Sequence, residues 1–582
     1  MGRRKRWTLR WAAAALLLAG CATEAPKWTP ETVAPPATAP EEVRAAAPLE
    51  STAEPVKLPE PPQPAQALAI NRDTAILTAV LNNRSVEVAR FGPKIGETLE
   101  PEARAEFDPT LFGSLTYGRD ERNGTSTTGS GSGTGTGGSG GTTDPIRQTI
   151  EIVTQIRNIV AALEGTPQTA IKADTFLGTV GVSEHLPTGA NLSLSGSTGT
   201  ADTNVTNRQG VDGWVLSVSQ PLLRGAGTGV NLVALRQARN KAAQSEYAFR
   251  QKMLDMVEQT ETGYWNLALA AKLLEIRQFG VKLAEEQLNL TENLFEAEKI
   301  IQGDVMAARA ERASRMADLV DAQANLRTQG LAMVQLLNPS AASQWDLDFA
   351  ATDPIDMDQR TLDAAASEKL ALQYRPELAQ ARLDQANAGL DVQRARNGVR
   401  PRLDLIGSYG SGNTGNIGSL AAVATTSTFL ADSTSLRVGV QFEQPIMNRA
   451  ENARLRRARL AEQQVGWSVS ALEQNLAREV RQAVVDAGRQ WQRIQATHEA
   501  VEARTEQLRV AQGRFEAGKT TNLDLLIVQR DFIQAEVDEA TARIRYIQAV
   551  TTLYASEGTL LERRGISLEL AKQEAKDRGN GQ

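Results

Sequence analysis

The sequence predicts an α+β protein with an internal two-fold repeat, in which short alternating strands lead into very long helices. The segment 216–223 returns with the same pattern at 440–447, where each copy ends in Gln-Pro and two apolar residues. A Phe-Glu-Ala triplet at 295–297 returns at 515–517, at nearly the same offset. Because two copies are too few for a solenoid, we expect the duplicated unit to close with its twin or with other chains.

The helical runs are far longer than those of ordinary globular domains. Residues 230–297 and 449–517 contain no proline, and at about 1.5 Å per residue each run would extend roughly 100 Å. The run at 523–556 repeats apolar residues every seven positions, which predicts antiparallel coiled-coil packing. The residues of this seam are Leu526, Ile533, Ala540, Ile547 and Tyr554.

Both halves also contain segments of alternating polarity that predict strands, near 401–410 and 436–447 in the second half. The first half differs by a loop insertion over 123–210. It comprises a Gly/Ser/Thr loop, a short predicted helix at 145–163 and a predicted hairpin over 175–200. The hairpin either adds strands to the same sheet or lies in a loop outside it.

The N-terminal residues 1–20 have the pattern of an export signal, a basic segment followed by a short apolar run. The run ends in Leu-Ala-Gly-Cys, which resembles a bacterial lipobox and implies cleavage before Cys21 and lipid attachment, such as palmitate, to it. The alternative is an ordinary signal peptide with an incidental cysteine. Residues 21–68 then form a lipidated, Pro-rich tether, and the alanine after Cys21 favours the outer membrane by resemblance to sorted lipoproteins.

Composition and motifs argue against several classes of protein. A net charge of −6 over 582 residues disfavours nucleic acid as a partner. Beyond residue 20 no apolar stretch is long enough for a membrane helix, so a membrane crossing would need a closed β-barrel. With only His185 and His498 and no Ser/His/Asp or Cys/His set, we expect no enzyme, metal or cofactor. The glycine-rich segment 224–229 lacks phosphate-loop spacing, and we expect a strand-to-helix bend there.

Each helical hairpin turns at a break that carries charged residues. In the second half, Gly518 suits a helix C-cap with positive φ, and Asp524 complements the start of the next helix. In the first half Glu298 replaces that glycine, so we expect the two tips to turn differently. The candidate gating or docking residues of the two tips are Glu298, Lys299, Asp304, Glu516, Gly518, Lys519 and Asp524.

The order of helix, strands, long helix, tip and returning helix, twice over, resembles the TolC-like outer-membrane efflux protein family. The residues that carry the resemblance are the Gln-Pro strand ends, the Phe-Glu-Ala-Gly-Lys tip at 515–519 and the Arg-Pro-Glu-Leu at 375–378. The resemblance implies a lipid-anchored homotrimer in the outer membrane of a Gram-negative-type bacterium. Each chain would contribute four strands to one β-barrel and its helices to a coiled-coil tunnel in the periplasm. The resemblance further implies a periplasmic adaptor that docks at the tips and an inner-membrane RND, ABC or MFS transporter.

On this basis the chain divides into a first repeat over 69–337, a connector over 338–365, a second repeat over 366–556 and a tail over 557–582, with tips near 298–303 and 517–522. The expected function is a passive export duct of a tripartite efflux system. Two alternatives remain open: the duct of a type I protein secretion system, and a non-channel structural coiled-coil lipoprotein.

Overall fold

The computed structural model describes residues 68–122, 171–203, 209–337, 349–355, 359, 362–416 and 433–566. Its strands are β1 (Leu68–Ile70), β2 (Thr110–Arg122), β3 (Ile171–His185), β4 (Asn191–Thr203), β5 (Gln209–Pro221), β6 (Phe349–Ala351), β7 (Arg402–Asn416) and β8 (Ser433–Glu443). Its helices are α1 (Arg72–Asn82), α2 (Arg84–Arg104), α3 (Thr228–Asn231), α4 (Val233–Glu296), α5 (Gln302–Leu337), α6 (Ala364–Tyr374), α7 (Pro376–Gly398), α8 (Arg449–Glu516), α9 (Asn522–Glu557) and α10 (Leu560–Arg563). Cys21, the tether and the predicted helix at 145–163 lie outside the described residues.

Six strands form one sheet in the order β2-β3-β4-β5-β7-β8, and every neighbouring pair is antiparallel. The predicted hairpin of the insertion therefore adds β3 and β4 to the same sheet, between β2 and β5. The resemblance implied that each chain contributes four strands. This prediction was wrong, because the sheet contains six strands. Strands β2 and β8 lie at its two edges.

The strand boundaries also differ between the two copies of the repeated Gln-Pro motif. Pro221 is still paired with Asp404 at the end of β5, whereas β8 ends at Glu443, before Pro445. The helical segment before β2 consists of two helices, because Asn83 ends α1 and caps α2. Its side-chain oxygen accepts a hydrogen bond from the amide of Ser85 at 2.8 Å, and its Nδ2 donates to the carbonyl of Leu336 at 2.9 Å.

The long helices form two antiparallel hairpins. α4 has 64 residues and returns as α5, and α8 has 68 residues and returns as α9. In the predicted seam of α9, Leu526, Ile533, Ala540 and Tyr554 are buried. No helix in the described part of the chain is both long enough and apolar enough to cross a bilayer.

The core runs along the helices rather than through a compact centre. Near the sheet, α4 packs between α2 and α7, and α7 packs on α8. One cluster joins six helices, and its members include Val86 of α2, Phe249 and Met253 of α4, Ile494 of α8 and Tyr546 of α9, together with residues of α1 and α10. A second cluster, closer to the tips, packs α4 against α8 and α9. The two hairpins are therefore held together by apolar contacts over most of their length.

Candidate functional site

One face of the six-stranded sheet carries a row of apolar residues that is unbroken from edge to edge. The register brings one residue from each strand into a single row, and all six are apolar: Leu111, Val182, Leu194, Leu216, Tyr409 and Leu436. The two ends of the row are largely exposed, with Leu111 at 72% and Leu436 at 74%. An exposed apolar surface of this extent requires a non-aqueous neighbour. We call it the apolar face.

The opposite face, which we call the polar face, has a different composition. The residues that neighbour the apolar row along each strand form a second row, which consists of Thr110, Ser183, Ser193, Ser217, Ser408 and Arg437. Successive residues of a strand point to opposite faces, so the alternation of apolar and hydroxyl side chains separates a lipid-compatible side from a water-compatible side. The sheet is suited to lie between a membrane interior and water.

The edges of the molecule also carry exposed apolar residues. At the β2 side, Val88, Phe91 and Ile95 of α2 are exposed, and at the β8 side so are Leu460 and Trp467 of α8. The neighbouring edge strands β2 and β8 each have one side without a strand partner among the described residues. Unpaired edge strands with exposed apolar residues beside them indicate a surface on which further copies of the chain or other partners pack.

The turn of the extra hairpin rests on the glycine-rich segment, which is a strand-to-helix bend as expected. The amide of Gly227 donates to the carbonyl of Thr188 at 2.9 Å, and Gly225 and Gly227 have φ of 82° and 88°. The amide of Gly225 donates to Oδ1 of the buried Asn397 at 2.7 Å. Glycine is required here because L-residues rarely adopt such φ values.

The two helix tips turn in the same way, contrary to the prediction. In the second tip (residues 516–522), Gly518 has φ of 67°, and the amide of Lys519 donates to the carbonyl of Arg514 at 2.8 Å. In the first tip (residues 296–302), Glu298 has φ of 55°, and the amide of Lys299 donates to the carbonyl of Leu294 at 2.9 Å. Both are Schellman motifs, so Glu298 adopts the left-handed conformation that glycine adopts in its counterpart.

Asp524 and the N-cap residue Thr521 together cap the helix that follows the second tip. The Asp524 carboxylate accepts a hydrogen bond from the Thr521 hydroxyl at 2.6 Å, and the Asp524 amide donates to that hydroxyl oxygen at 3.2 Å. The two residues form a capping box. The hydrogen bond from the Thr521 side chain is the main reason why the pKa of Asp524 lies below its usual value. Asp304 plays a different part, because its backbone carbonyl accepts a hydrogen bond from the other tip.

A buried polar contact that the sequence did not reveal joins the two tips. Nδ2 of Asn522 donates to the carbonyl of Asp304 at 3.0 Å, and Oδ1 of Asn522 accepts from Nε2 of Gln287 at 2.8 Å. Asn522 and Gln287 are 2% and 5% exposed. The sequence offered one signal: with Thr521 available as the cap, Asn522 is free to bond elsewhere.

The remaining tip candidates are solvent-exposed. Glu298 and Lys299 lie at the surface of the first tip, and Glu516 and Lys519 at the surface of the second. The structure thus brings the two sets to the same end of the helical hairpins, joined through Asn522. It does not bring His185 and His498 together: the first stacks on Phe107 beside the sheet, and the second lies 2.9 Å from Glu539 in the helices.

An amphipathic sheet continued by long paired helices is the architecture of a channel that joins a membrane to the space beside it. Residues 185–339 and 369–559 match the model of the outer membrane efflux protein family, and the chain belongs to this family. The resemblance seen in the sequence is thereby confirmed, and with it the function of an outer-membrane efflux channel. The family consists of channel proteins rather than enzymes.

Individual relatives agree with this assignment. The protease secretion protein PrtF of Dickeya chrysanthemi is 24% identical over 387 residues, 64% of this chain and 79% of the relative. The pyoverdine export outer membrane protein OpmQ of Pseudomonas putida is 28% identical over 347 residues, 56% of this chain and 67% of the relative. The Campylobacter jejuni outer membrane channel CmeC superposes with a TM-score of 0.59 at 13% identity, covering 86% of this chain and 90% of that one.

Proposed function

We propose that this chain is the outer-membrane duct of a tripartite efflux system, through which solutes pass passively from the periplasm to the exterior. The observation that carries the proposal is the apolar row from Leu111 to Leu436, which crosses every strand of a sheet continuous with the long helices. The sheet would cross the outer membrane with its apolar face toward lipid, and α4 and α8 would extend roughly 100 Å into the periplasm. Energy would come from an inner-membrane RND, ABC or MFS transporter.

The working unit is proposed to be a homotrimer. β2 and β8 run in opposite directions, since strands alternate across a six-stranded antiparallel sheet. β8 of one copy can therefore pair antiparallel with β2 of the next. Contacts between two different edges generate a ring, and a closed barrel leaves no free strand edge. The number three comes from the family resemblance, as does the interpretation of the two halves as a duplicated unit.

The tips are proposed as the periplasmic entrance and the adaptor-docking surface. Glu298, Lys299, Glu516 and Lys519 present charges at the free end of the hairpins. Reversing one pair, with Glu516→Lys and Lys519→Glu, should reduce cross-linking to the adaptor in intact cells, while a reversal far from the tips, Arg457→Glu, should not. Equal cross-linking for both variants would count against docking at the second tip.

Lipid attachment at Cys21 is proposed as an additional anchor. Metabolic labelling with a palmitate analogue should mark the wild-type protein and not a Cys21→Ala variant. Labelling that persists in the variant would exclude this residue as the attachment point.

Transport itself is tested by reconstitution and by export. The purified protein should conduct ions in planar bilayers, and its deletion should raise the cellular accumulation of a fluorescent efflux substrate. Failure of both would overturn the proposal.

The alternative function, a duct for secreted proteins, is supported by the similarity to PrtF. It predicts instead that deletion removes specific proteins from the culture medium and leaves small-molecule accumulation unchanged.

A further inference from the structure

The β3–β4 hairpin is an integral part of the sheet rather than an appendage. It is paired with β2 from Thr110 opposite Ser183 to Arg122 opposite Ile171. On its other side it is paired with β5 from Asn191 opposite Ser219 to Ala201 opposite Gln209. Two strands bonded along both sides cannot leave the sheet without breaking these ladders, so any barrel that this sheet forms includes them.

The turn of the hairpin is also fixed to the rest of the molecule. A Cβ atom on Gly189 would lie 2.2 Å from the carbonyl oxygen of Gly225 and 2.6 Å from Nδ2 of Asn231. This close approach is possible only without a side chain. The corresponding bend of the second half, Asn448 to Ala450, has no glycine, and no hairpin among the described residues rests on it. The glycine-rich bend and the extra hairpin therefore occur together.

We propose, on the basis of the proposed function, that the hairpin enlarges the outlet of the duct so that the barrel is much wider than four strands per chain would make it. Three six-stranded sheets supply eighteen strands. At about 4.8 Å between strands and a tilt of about 40°, eighteen strands give a backbone diameter of roughly 35 Å, whereas twelve give roughly 24 Å. The barrel widens while the number of long helices in each chain is unaffected.

The hairpin also determines what the wider lumen presents to a solute. On the polar face its central part contributes small uncharged residues, namely Thr179, Gly181, Ser183, Ser193, Ser195 and Ser197, with Leu177 beyond them on β3 and His185 next to the turn. Such a wall offers hydrogen bonds and no strong field, so it discriminates little by charge. The part of the wall that the hairpin adds thus places no charge against bulky hydrophilic solutes, and selection by charge is left to the other strands, such as β8 with Arg437, and to the helical part of the duct.

The test measures access from outside with maleimide-polyethylene glycols of graded size. Ser193→Cys places a thiol on the polar face of β4, and Leu194→Cys, its neighbour on the apolar face, is the matched control. Ser193→Cys should react with large reagents, and Leu194→Cys should not react. Deleting residues 171–203 should lower the size of the largest reagent that reaches the lumen. This limit is measured with a thiol at Ser217→Cys, once in the deletion variant and once in the full chain. The deletion keeps the faces in order, because Ser217 would then lie opposite Thr110 on the polar face.

Electron cryo-microscopy of the full chain in a lipid nanodisc gives the second readout and does not depend on the deletion variant folding. Eighteen strands in the barrel support the proposal, and twelve strands overturn it. An unchanged size limit after the deletion also overturns it. Eighteen strands without conductance or export would refute the proposed function alone, and normal export through a twelve-stranded barrel would refute this inference alone.

Discussion

Asn522, the first residue of α9, donates a hydrogen bond from its side chain to the backbone carbonyl of Asp304, in the first turn of α5, at 3.0 Å. The same amide accepts from Gln287 of α4 at 2.8 Å, so one buried side chain joins both helical hairpins next to their tips. A rearrangement of one tip relative to the other must break these bonds. The following predictions start from this contact.

Asn522→Ala should loosen the tips. The substitution removes two hydrogen bonds, each of which contributes about 0.5–1.5 kcal/mol, and leaves Nε2 of the buried Gln287 with only its 3.4 Å bond to the Thr291 hydroxyl. We expect a higher single-channel conductance in planar bilayers. Leu523→Ala, which changes the exposed neighbouring residue, is the control and should behave as wild type. Equal conductance for the two variants would show that the contact does not restrain the entrance.

Asp524→Asn should weaken the start of α9, because the amide is a poorer partner for Thr521 than the carboxylate. We again expect higher conductance. The pKa of Asp524 is lowered in the fold, so its contribution is present above the unfolded value of about 3.9 and is lost as the pH falls through the lower folded value. The wild type should therefore become leakier only in strong acid, and the variant should lack this acid-dependent step.

Glu298→Gly should stabilise the first tip. A left-handed conformation destabilises a residue with a side chain by about 1–2 kcal/mol. Glycine avoids this cost, but it loses more conformational entropy on folding, so the net stabilisation is smaller. The amide of Lys299, bonded to Leu294, should exchange with deuterium more slowly than in wild type. The reciprocal Gly518→Glu should speed exchange at Lys519. Faster exchange at Lys299 in Glu298→Gly would mean that Glu298 stabilises the tip by another route.

Leu194→Arg should hinder assembly in the membrane. The side chain lies on the apolar face, where an arginine in contact with lipid costs about 2–4 kcal/mol at mid-depth. Ser193→Arg alters the neighbouring residue on the polar face and should be tolerated. Both are compared by the amount of protein in the outer-membrane fraction. Similar losses for both would contradict the assignment of the two faces.

Arg564→Ala should destabilise the helical part through Glu261. Glu261 is completely buried, and Nε of Arg564 donates to its carboxylate at 2.9 Å. Removing the arginine leaves the buried carboxylate without its ion-pair partner, at a cost of about 3–5 kcal/mol. The midpoint of thermal unfolding should fall, and adding Glu261→Gln should restore part of the loss. A double variant less stable than Arg564→Ala would argue against charge burial as the cause.

Much of the fold was predictable because its signals are local. The absence of proline and the seven-residue spacing indicated the long helices, and the buried positions Ile533 and Ala540 agree with the predicted seam. The helix end at Gly518 follows from its own conformational preference. The hairpin at 175–200 was also predicted, although its place in the sheet was not.

The predictions failed where the structure depends on contacts between residues far apart in the chain. Glu298 was expected to change the turn, but it adopts the left-handed conformation of the same Schellman motif. A residue with a side chain keeps such a strained conformation only where the surrounding structure holds it. The role of Asn522 was not predicted, because it depends on the proximity of Gln287 and Asp304, which lie far from it in the chain.

The sequence by itself therefore determined the helices, their seam, the alternating strands and the family, since these depend on periodicity and short motifs. The tertiary structure decided that β3 and β4 lie between β2 and β5, that both tips turn alike, and that Asn522 joins the two hairpins. Strand pairing and buried polar contacts join residues far apart in the chain, and no local pattern specifies which partners meet.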